Sequence, residues 1–166
     1  MKISPLEIYQ AKKRISSYVT RTPLVRAHAL SDRCQSEIWC KLETMQPTGA
    51  FKLRGATNAI LRLNEAQRKR GVVAVSTGNH GRGVAYASRE QGIRAVICLS
   101  SLVPKNKVEA IKSLGADVRV VGNSQDEAEV EAIRLTEEAG MTLISPFDHP
   151  DVITGQGTIG LELLED

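Results

Sequence analysis

Residues 72–81 read VVAVSTGNHG, an apolar run followed at once by a loop of small and polar residues. The run Val72–Val75 is rich in β-branched side chains and has the length of a strand buried on both faces. Comparable runs recur downstream, each separated from the next by a segment with helical spacing of apolar residues. They lie at 95–99, 118–121 and 142–144. Strands that alternate with helices predict an α/β fold, an open twisted parallel sheet flanked by helices.

Capping and turn residues divide the rest of the chain into further elements. Ser4 and Glu7 have the spacing of a capping box, and so do Ser124 and Glu127. We expect the helix that starts at Ser4 to end at Thr22-Pro23, because the residue before a proline disfavours helical backbone. The other predicted elements are helices at 51–70, 83–91, 104–115, 124–140 and 151–166, a strand at 38–42 and a short extended piece at 24–25.

The composition of the 166 residues is that of one soluble globular domain, with 42% hydrophobic and 25% charged residues. The net charge is +3, and the basic clusters at 12–14 and 68–70 lack interleaved aromatic residues, which argues against nucleic acid as a partner. No apolar run approaches transmembrane length, so we expect no membrane partner. Cys34, Cys40 and Cys98 are odd in number and lack metal-ligand spacing. They predict reduced thiols in a cytoplasmic protein and no metal site.

The loop Ser76–Gly81 joins a predicted strand to the start of a helix. Ligands of parallel sheets bind at the carboxyl ends of strands, where unpaired N–H groups of a helix N-terminus attract anions. Gly78 and Gly81 permit close approach of a ligand to the backbone. The alternative is a tight turn in which Asn79 is only a local cap. The loop has neither the glycine fingerprint of dinucleotide-binding proteins nor that of a phosphate loop.

Lys52 lies between Phe51 and Leu53, at the predicted start of a helix. The helix dipole and burial both disfavour a positive charge there, and both favour a neutral amine that can act as a nucleophile. The alternative is an ordinary lysine that faces solvent. The residues around Lys52 do not decide between the two.

Two longer patterns resemble a known family. Residues 41–56, K-x-E-x-x-x-P-T-G-A-F-K-x-R-G-A, resemble the lysine motif of fold-type II pyridoxal-phosphate enzymes, whose fold is that of the tryptophan synthase β subunit. Residues 76–81 resemble the second signature of that family, and residues 155–158 resemble a third. The group includes threonine dehydratase, serine dehydratase and serine racemase. Residues 102–107 and 146–150 look most like the hydroxyectoine-utilisation dehydratases.

The resemblance implies roles for individual residues. Lys52 would carry pyridoxal 5'-phosphate as a Schiff base and then act as the base at the substrate α-carbon. Phe51 would pack against the cofactor ring, and Asn79 would hydrogen-bond its 3-hydroxyl. Thr77 occupies the position at which serine racemases have the serine that acts on the opposite face of the substrate. It is therefore a second catalytic candidate. The substrate carboxylate would be surrounded by Ser76, Thr77, Gly78, Asn79 and His80.

The implied function is a dehydratase, an ammonia-lyase of amino-acid metabolism that converts L-threonine-like or L-serine-like β-hydroxy amino acids to 2-keto acids and ammonia. The substrate is a small amino acid. We expect a homo-oligomer, because the apolar faces of the first helix and of residues 161–164 would lie against a larger domain that is mostly missing here. Three alternatives stay open: a serine/aspartate racemase, a non-catalytic remnant that binds a ligand or partner, and an unrelated nucleotide-binding α/β domain. Ala50 departs from the family, where many relatives have serine.

The resemblance also predicts how the chain is divided. Residues 1–54 would belong to the N-terminal part of a large domain, residues 55–145 to a small α/β domain, and residues 146–166 to a segment that returns into the large domain. The family continues beyond this point and has a glycine-rich phosphate loop there. No such run occurs in this sequence. We therefore expect a truncated chain with little or no dehydratase activity by itself.

Overall fold

The computed structural model describes residues 2–166. Helices α1 to α8 are Pro5–Ile15, His28–Cys34, Lys52–Leu61, Glu65–Arg70, Asn79–Glu90, Lys105–Lys112, Gln125–Ala139 and Pro150–Glu165. Strands β1 to β6 are Leu24–Arg26, Trp39–Lys41, Val72–Val75, Ala95–Leu99, Asp117–Val120 and Thr142–Leu143. A 3-10 turn, Glu43–Met45, follows β2. Within the described residues, no helix is both long enough and apolar enough to cross a bilayer.

Strands β3 to β6 form the parallel sheet that the sequence predicted, in the order β5-β4-β3-β6. Val72 pairs with Ala95 on one side and with Thr142 on the other. Strands β3 and β4 are buried along their whole length, because they are central and helices cover both faces. This explains why their sequences are continuous apolar runs rather than alternating ones. The predicted α/β fold is confirmed.

The two faces of the sheet bury alternate residues of β3 in separate cores. Ala74 belongs to the larger core, together with Ile60 of α3 and Val84 of α5. Val73 belongs to the smaller core, together with Ala132 of α7. Burying one such side chain fully contributes about 1.5–3 kcal/mol for a valine or larger residue. The sheet is therefore a rigid base for the loops that follow its strands.

Strands β1 and β2 pair with each other as an antiparallel pair that is separate from the main sheet. Val25 is opposite Cys40 in this register. The predicted strand at 38–42 and the extended piece at 24–25 are thus both present. They place the residues just before the lysine motif outside the parallel sheet.

The first helix is shorter than the sequence predicted. Its capping box forms, since the Ser4 hydroxyl accepts from the Glu7 N–H at 3.3 Å and the Glu7 carboxylate accepts from the Ser4 N–H at 2.7 Å. However, α1 ends at Ile15, so the predicted end at Thr22-Pro23 was wrong. The Ser16 hydroxyl donates to a backbone carbonyl oxygen one turn earlier at 2.9 Å. Such bonds compete with helix continuation.

The predicted helix at 51–70 is two helices, α3 and α4. Asn64 begins the second one, because its side chain accepts from the Gln67 N–H at 2.9 Å and the Gln67 side chain accepts from the Asn64 N–H at 2.9 Å. This reciprocal cap starts a new helix rather than continuing the old one. The prediction of one continuous helix was wrong for that local reason.

Two other boundaries also differ from the predictions. Helix α5 begins at Asn79 rather than at residue 83, so the helix starts directly at the loop. The predicted cap of α7 forms in part: the Ser124 hydroxyl accepts from the Glu127 N–H at 3.1 Å. The Glu127 carboxylate accepts instead from the Asn123 N–H at 3.0 Å.

Helix α8 returns to the start of the chain and packs against α1 and α3. Helices α3 and α8 approach most closely at Gly55 and Gly155. A Cβ on Gly155 would lie 2.6 Å from the Gly55 Cα atom, and a Cβ on Gly55 would lie 2.6 Å from the Val152 carbonyl oxygen. Because a side chain would clash at either position, glycine sets the spacing of the two helices. The division of the chain at residues 54 and 145 stays a prediction.

Candidate active site

Lys52 is the first residue of α3, where the chain enters the helix from a tight turn. Gly49 adopts φ +72°, and its N–H donates to the Gln46 carbonyl oxygen at 2.7 Å, which closes that turn. The Lys52 amine donates to the Pro146 carbonyl oxygen at 3.3 Å and lies 5.4 Å from the centre of the Phe51 ring. The side chain is half-buried, and one long hydrogen bond leaves its other N–H donors available.

The loop at 76–78 leads from the carboxyl end of β3 into α5. Gly78 is the N-cap residue of α5, and no side chain of the described residues caps the helix, so Asn79 is not the local cap of the alternative interpretation. The N–H of Arg82 donates to the Gly78 carbonyl oxygen at 3.2 Å, which starts the helical pattern. Earlier N–H groups of that turn have no intrahelical acceptor. A Cβ on Gly78 would meet no atom within 4 Å, so the space beside the loop is open.

His80 is buried and neutral at the start of α5. It is 3% exposed, and its Nε2 atom lies 2.8 Å from the Ile144 carbonyl oxygen, which assigns the proton to Nε2. Nδ1 is then a hydrogen-bond acceptor, and it has no partner among residues 2–166. Burial lowers the pKa of His80 to about 4, and the positive charge of Lys52 also lowers it. His80 can therefore assist a substrate carboxylate through its backbone N–H, but not through a side-chain charge.

Lys52 and His80 are held by the same stretch of backbone after β6. His80 contacts the carbonyl oxygen of Ile144 and Lys52 that of Pro146. Helices α3 and α5 also touch nearby, since a Cβ on Gly83 would lie 3.3 Å from the Lys52 carbonyl oxygen. The fold thus brings the lysine motif and the second signature together, although they are separated by α4 and β3 in the chain.

A cleft of about 390 Å³ opens beside the loop. It is lined by Thr77, Gly78, Asn79, Arg82, Asn106, Lys107 and Ala110. Lys52, Phe51 and His80 are not part of this lining, so the cleft contains only some of the predicted site residues. Arg82 and Lys107 are cleft residues that the sequence analysis did not select. Arg82 could have been selected from the sequence, because it places a positive charge one turn into the helix that follows the loop.

A buried ionic cluster that the sequence did not predict is centred on Arg54, two residues after Lys52 in α3. Arg54 is fully buried, and its guanidinium group donates to the carboxylates of Glu43 and Glu162. Lys41 lies 2.9 Å from Glu162 and 2.8 Å from Asp166. Lys41, Glu43 and Arg54 all belong to the quoted lysine motif, but their spacing gave no sign that they meet α8.

The residues around Lys52 fit the aldehyde and ring of pyridoxal phosphate. A primary amine with free donors suits an aldehyde, the exposed carboxamide of Asn79 suits a ring hydroxyl, and the open space beside Gly78 suits a planar ring. The residues selected from the sequence include no cradle for the phosphate. Within residues 2–166, no group of three or more His, Cys, Asp or Glu side chains is placed to hold a metal ion.

Residues 15–166 match the model of a protein family described as "Pyridoxal-phosphate dependent enzyme". A provisionally named threonine dehydratase of Sinorhizobium fredii is 54% identical over 158 residues, which are 95% of this chain and 48% of that protein. An L-threonine ammonia-lyase of Thermotoga maritima is 46% identical over 160 residues, which are 96% of this chain and 40% of that protein. The chain thus spans less than half the length of these two relatives.

Solved structures show the same likeness in three dimensions. Maize serine racemase superposes with a TM-score of 0.92 at 39% sequence identity. The match covers 96% of this chain and 48% of the racemase. The similarity therefore extends over nearly all of the fold described above.

Proposed function

The chain belongs to the family of pyridoxal-phosphate-dependent enzymes, and on this premise we propose that it carries the lysine-bearing part of an amino-acid dehydratase. The reaction is the conversion of L-threonine-like or L-serine-like β-hydroxy amino acids to 2-keto acids and ammonia. The observation that carries the proposal is the position of the Lys52 amine. It donates to the Pro146 carbonyl oxygen, two residues along the chain from the Ile144 carbonyl oxygen that the buried His80 of α5 contacts. The names of the relatives support dehydration as the chemistry.

The residues of the chain divide the work of this reaction. When bound, pyridoxal phosphate supplies an electron sink for negative charge at the substrate α-carbon. Lys52 would hold the cofactor through its amine, and the same amine would take the proton from the substrate α-carbon. The unpaired N–H groups at the start of α5, beside Ser76 and Gly78, would bind the substrate carboxylate. Asn79 would hydrogen-bond the ring hydroxyl of the cofactor.

A racemase is the second candidate, and two observations favour it. The fold superposes closely on maize serine racemase. Thr77 also offers a hydroxyl in the loop, and proton return from its side of the substrate would invert the α-carbon. Incubation of L-serine in deuterium oxide separates the reactions, since a racemase forms deuterated D-serine and a dehydratase forms pyruvate.

The test of the dehydratase is spectroscopic and chemical. Pyridoxal phosphate added to the full chain should give a new absorbance band that is lost in Lys52→Ala and kept in Lys105→Ala. Lys105 is a matched control, because it is also the first residue of a helix but is exposed. A keto-acid assay with L-threonine and L-serine then measures turnover. A band that is lost in Lys52→Ala supports the proposal even without turnover, and no band at all would contradict the proposal and favour a non-catalytic remnant.

Finer assignments belong to the same proposal. The three cysteines are free, which fits a reducing compartment such as the cytoplasm. A homo-oligomer is supported by exposed apolar side chains such as Leu6 and Leu164. Sedimentation of the full chain tests the oligomeric state.

The likeness of residues 102–107 and 146–150 to hydroxyectoine-utilisation dehydratases supports that subgroup. A growth assay on hydroxyectoine tests this assignment.

A further inference from the structure

Arg54 is saturated with hydrogen bonds although it touches no residue of the proposed reaction. Its Nε and one terminal nitrogen donate to the two oxygens of Glu43 at 2.9 and 2.8 Å. Both terminal nitrogens donate to the two oxygens of Glu162 at 2.7 and 2.9 Å. The Thr158 hydroxyl and the Thr20 carbonyl oxygen accept further bonds at 3.2 and 3.3 Å. This geometry uses the planar fork of an arginine, which a lysine cannot reproduce.

The charges of this cluster are balanced inside the protein. Burial opposes the charge of Arg54, but its bonds to Glu43 and Glu162 outweigh burial and hold the pKa of Arg54 above its ordinary value. The side chain of Lys41 is 7% exposed and pairs with Glu162 and with Asp166. A buried pair of this kind is costly to form and costlier to break. We therefore look for a role of the Arg54 cluster other than simple stabilisation.

The cluster fixes the rotation of α3. Its members come from the 3-10 turn after β2, from α3 and from α8, so three separate elements converge on one guanidinium. Lys52 and Arg54 are roughly 200° apart around the helix axis at 3.6 residues per turn. Arg54 thus anchors the side of α3 that faces away from Lys52. With Gly55 packed on Gly155, the helix is held in one orientation, and the Lys52 amine is directed toward the segment after β6.

We propose that Arg54 is a positioning residue whose clamp between Glu43 and Glu162 orients Lys52 for its reaction. The inference rests on the proposed function, in which Lys52 is the reactive lysine. It explains why Lys41, Glu43 and Arg54 occur in the same motif as Lys52. It also gives the third signature, residues 155–158, a role, since the Thr158 hydroxyl on α8 accepts a hydrogen bond from Arg54.

The test measures the reactivity of individual lysines in the full chain without cofactor. Trace acetylation followed by peptide mapping gives the rate at Lys52 relative to Lys105, which is exposed. In the wild type, Lys52 should react more slowly, because it is half-buried and bonded to Pro146. Arg54→Lys keeps the charge but loses the fork. We expect it to raise the Lys52 to Lys105 rate ratio by up to roughly tenfold, the factor that corresponds to the loss of the hydrogen bond from Lys52 to Pro146.

The control is Arg62→Lys, at the other end of α3. Arg62 pairs with Asp151 at 2.7 Å and is half-exposed, so its replacement should leave the ratio unchanged. Circular dichroism at the labelling temperature establishes which variants are folded. If Arg54→Lys does not fold, Glu43→Gln carries the test, because Glu43 is less buried. If neither folds, the cluster is required for folding alone and the positioning role is wrong.

The outcomes also separate this inference from the function on which it rests. A folded Arg54→Lys chain with an unchanged Lys52 rate overturns the clamp, whatever the cofactor does. A wild-type chain with a protected Lys52 but no absorbance band with pyridoxal phosphate overturns the proposed function and leaves the clamp standing. Pyridoxal phosphate is added only for the absorbance measurement. The acetylation rates are therefore independent of whether the chain binds the cofactor.

Discussion

The two sides of α3 differ in how completely their polar groups are paired. On the side of Arg54, a fully buried guanidinium meets two carboxylates and leaves no donor unused. On the side of Lys52, the amine has one long bond, Asn79 is exposed, and Nδ1 of the buried His80 has no partner among residues 2–166. The paired side supports the helix, and the unpaired side is where a ligand can supply the missing partners. Full pairing therefore marks a support, and incomplete pairing marks a candidate site.

Disruption of the Arg54 cluster should lower the free energy of unfolding more than any other change considered. Arg54→Met leaves two buried carboxylates without their partner, and removal of one member of a buried pair costs roughly 3–5 kcal/mol. Arg62→Met removes a half-exposed pair on the same helix and should cost under about 1 kcal/mol. Urea unfolding of the three chains measures the difference. Equal losses for the two variants would contradict the statement that the buried Arg54 cluster supports the helix.

The buried His80 should make the free energy of unfolding depend on pH. The pKa of His80 is about 4 in the folded chain because of burial. It is about 6.5 when the chain unfolds. The unfolded chain therefore binds more protons between these values, and stability is complete above pH 6.5 and falls as the pH drops toward 4. The loss is roughly 3 kcal/mol, at 1.36 kcal/mol per unit.

His80→Gln provides the control for that pH profile. Glutamine can still donate to the Ile144 carbonyl oxygen but does not titrate, so the part of the pH dependence due to His80 should disappear. Carboxylates contribute at the acid end in both chains, and their share is what remains. If the profiles of the wild type and His80→Gln coincide from pH 6.5 to 4, His80 is not held neutral.

The smallest effect on stability belongs to Asn79. It is exposed, so Asn79→Ala should change the free energy of unfolding by no more than about 0.5 kcal/mol. A hydrogen bond to a charged cofactor group is worth roughly 1.5–3 kcal/mol, and that amount should be lost from cofactor binding or turnover. Asn106→Ala, also exposed and on the far side of the cleft, is the control. Unchanged cofactor binding in Asn79→Ala would remove Asn79 from the site.

The sequence predicted the parts of the fold that depend on local patterns. Strands β3 and β4 were found because burial on both faces makes them continuously apolar. The break between α3 and α4 was missed because it depends on one reciprocal cap at Asn64. The end of α1 was missed because the proline at 23 suggested a later stop, while the Ser16 hydroxyl acts earlier.

The candidate site divides in the same way. Lys52 and the loop after β3 were found because each forms a contiguous motif that resembles a known family. The Arg54 cluster was not found, because Glu43 and Glu162 are far apart in sequence and only the packing of α8 on α3 brings them together. A charged residue within the buried stretch Leu53–Ile60 was the one local signal, and it did not identify its partners.

The central claim is that Lys52 is the lysine that binds the cofactor. The most direct measurement is borohydride reduction of the full chain with a low concentration of pyridoxal phosphate, followed by peptide mapping of every lysine. We expect the peptide containing Lys52 to carry most of the label and Lys105 and Lys107 to carry little. A label spread evenly over the exposed lysines, with no preference for Lys52, would contradict it.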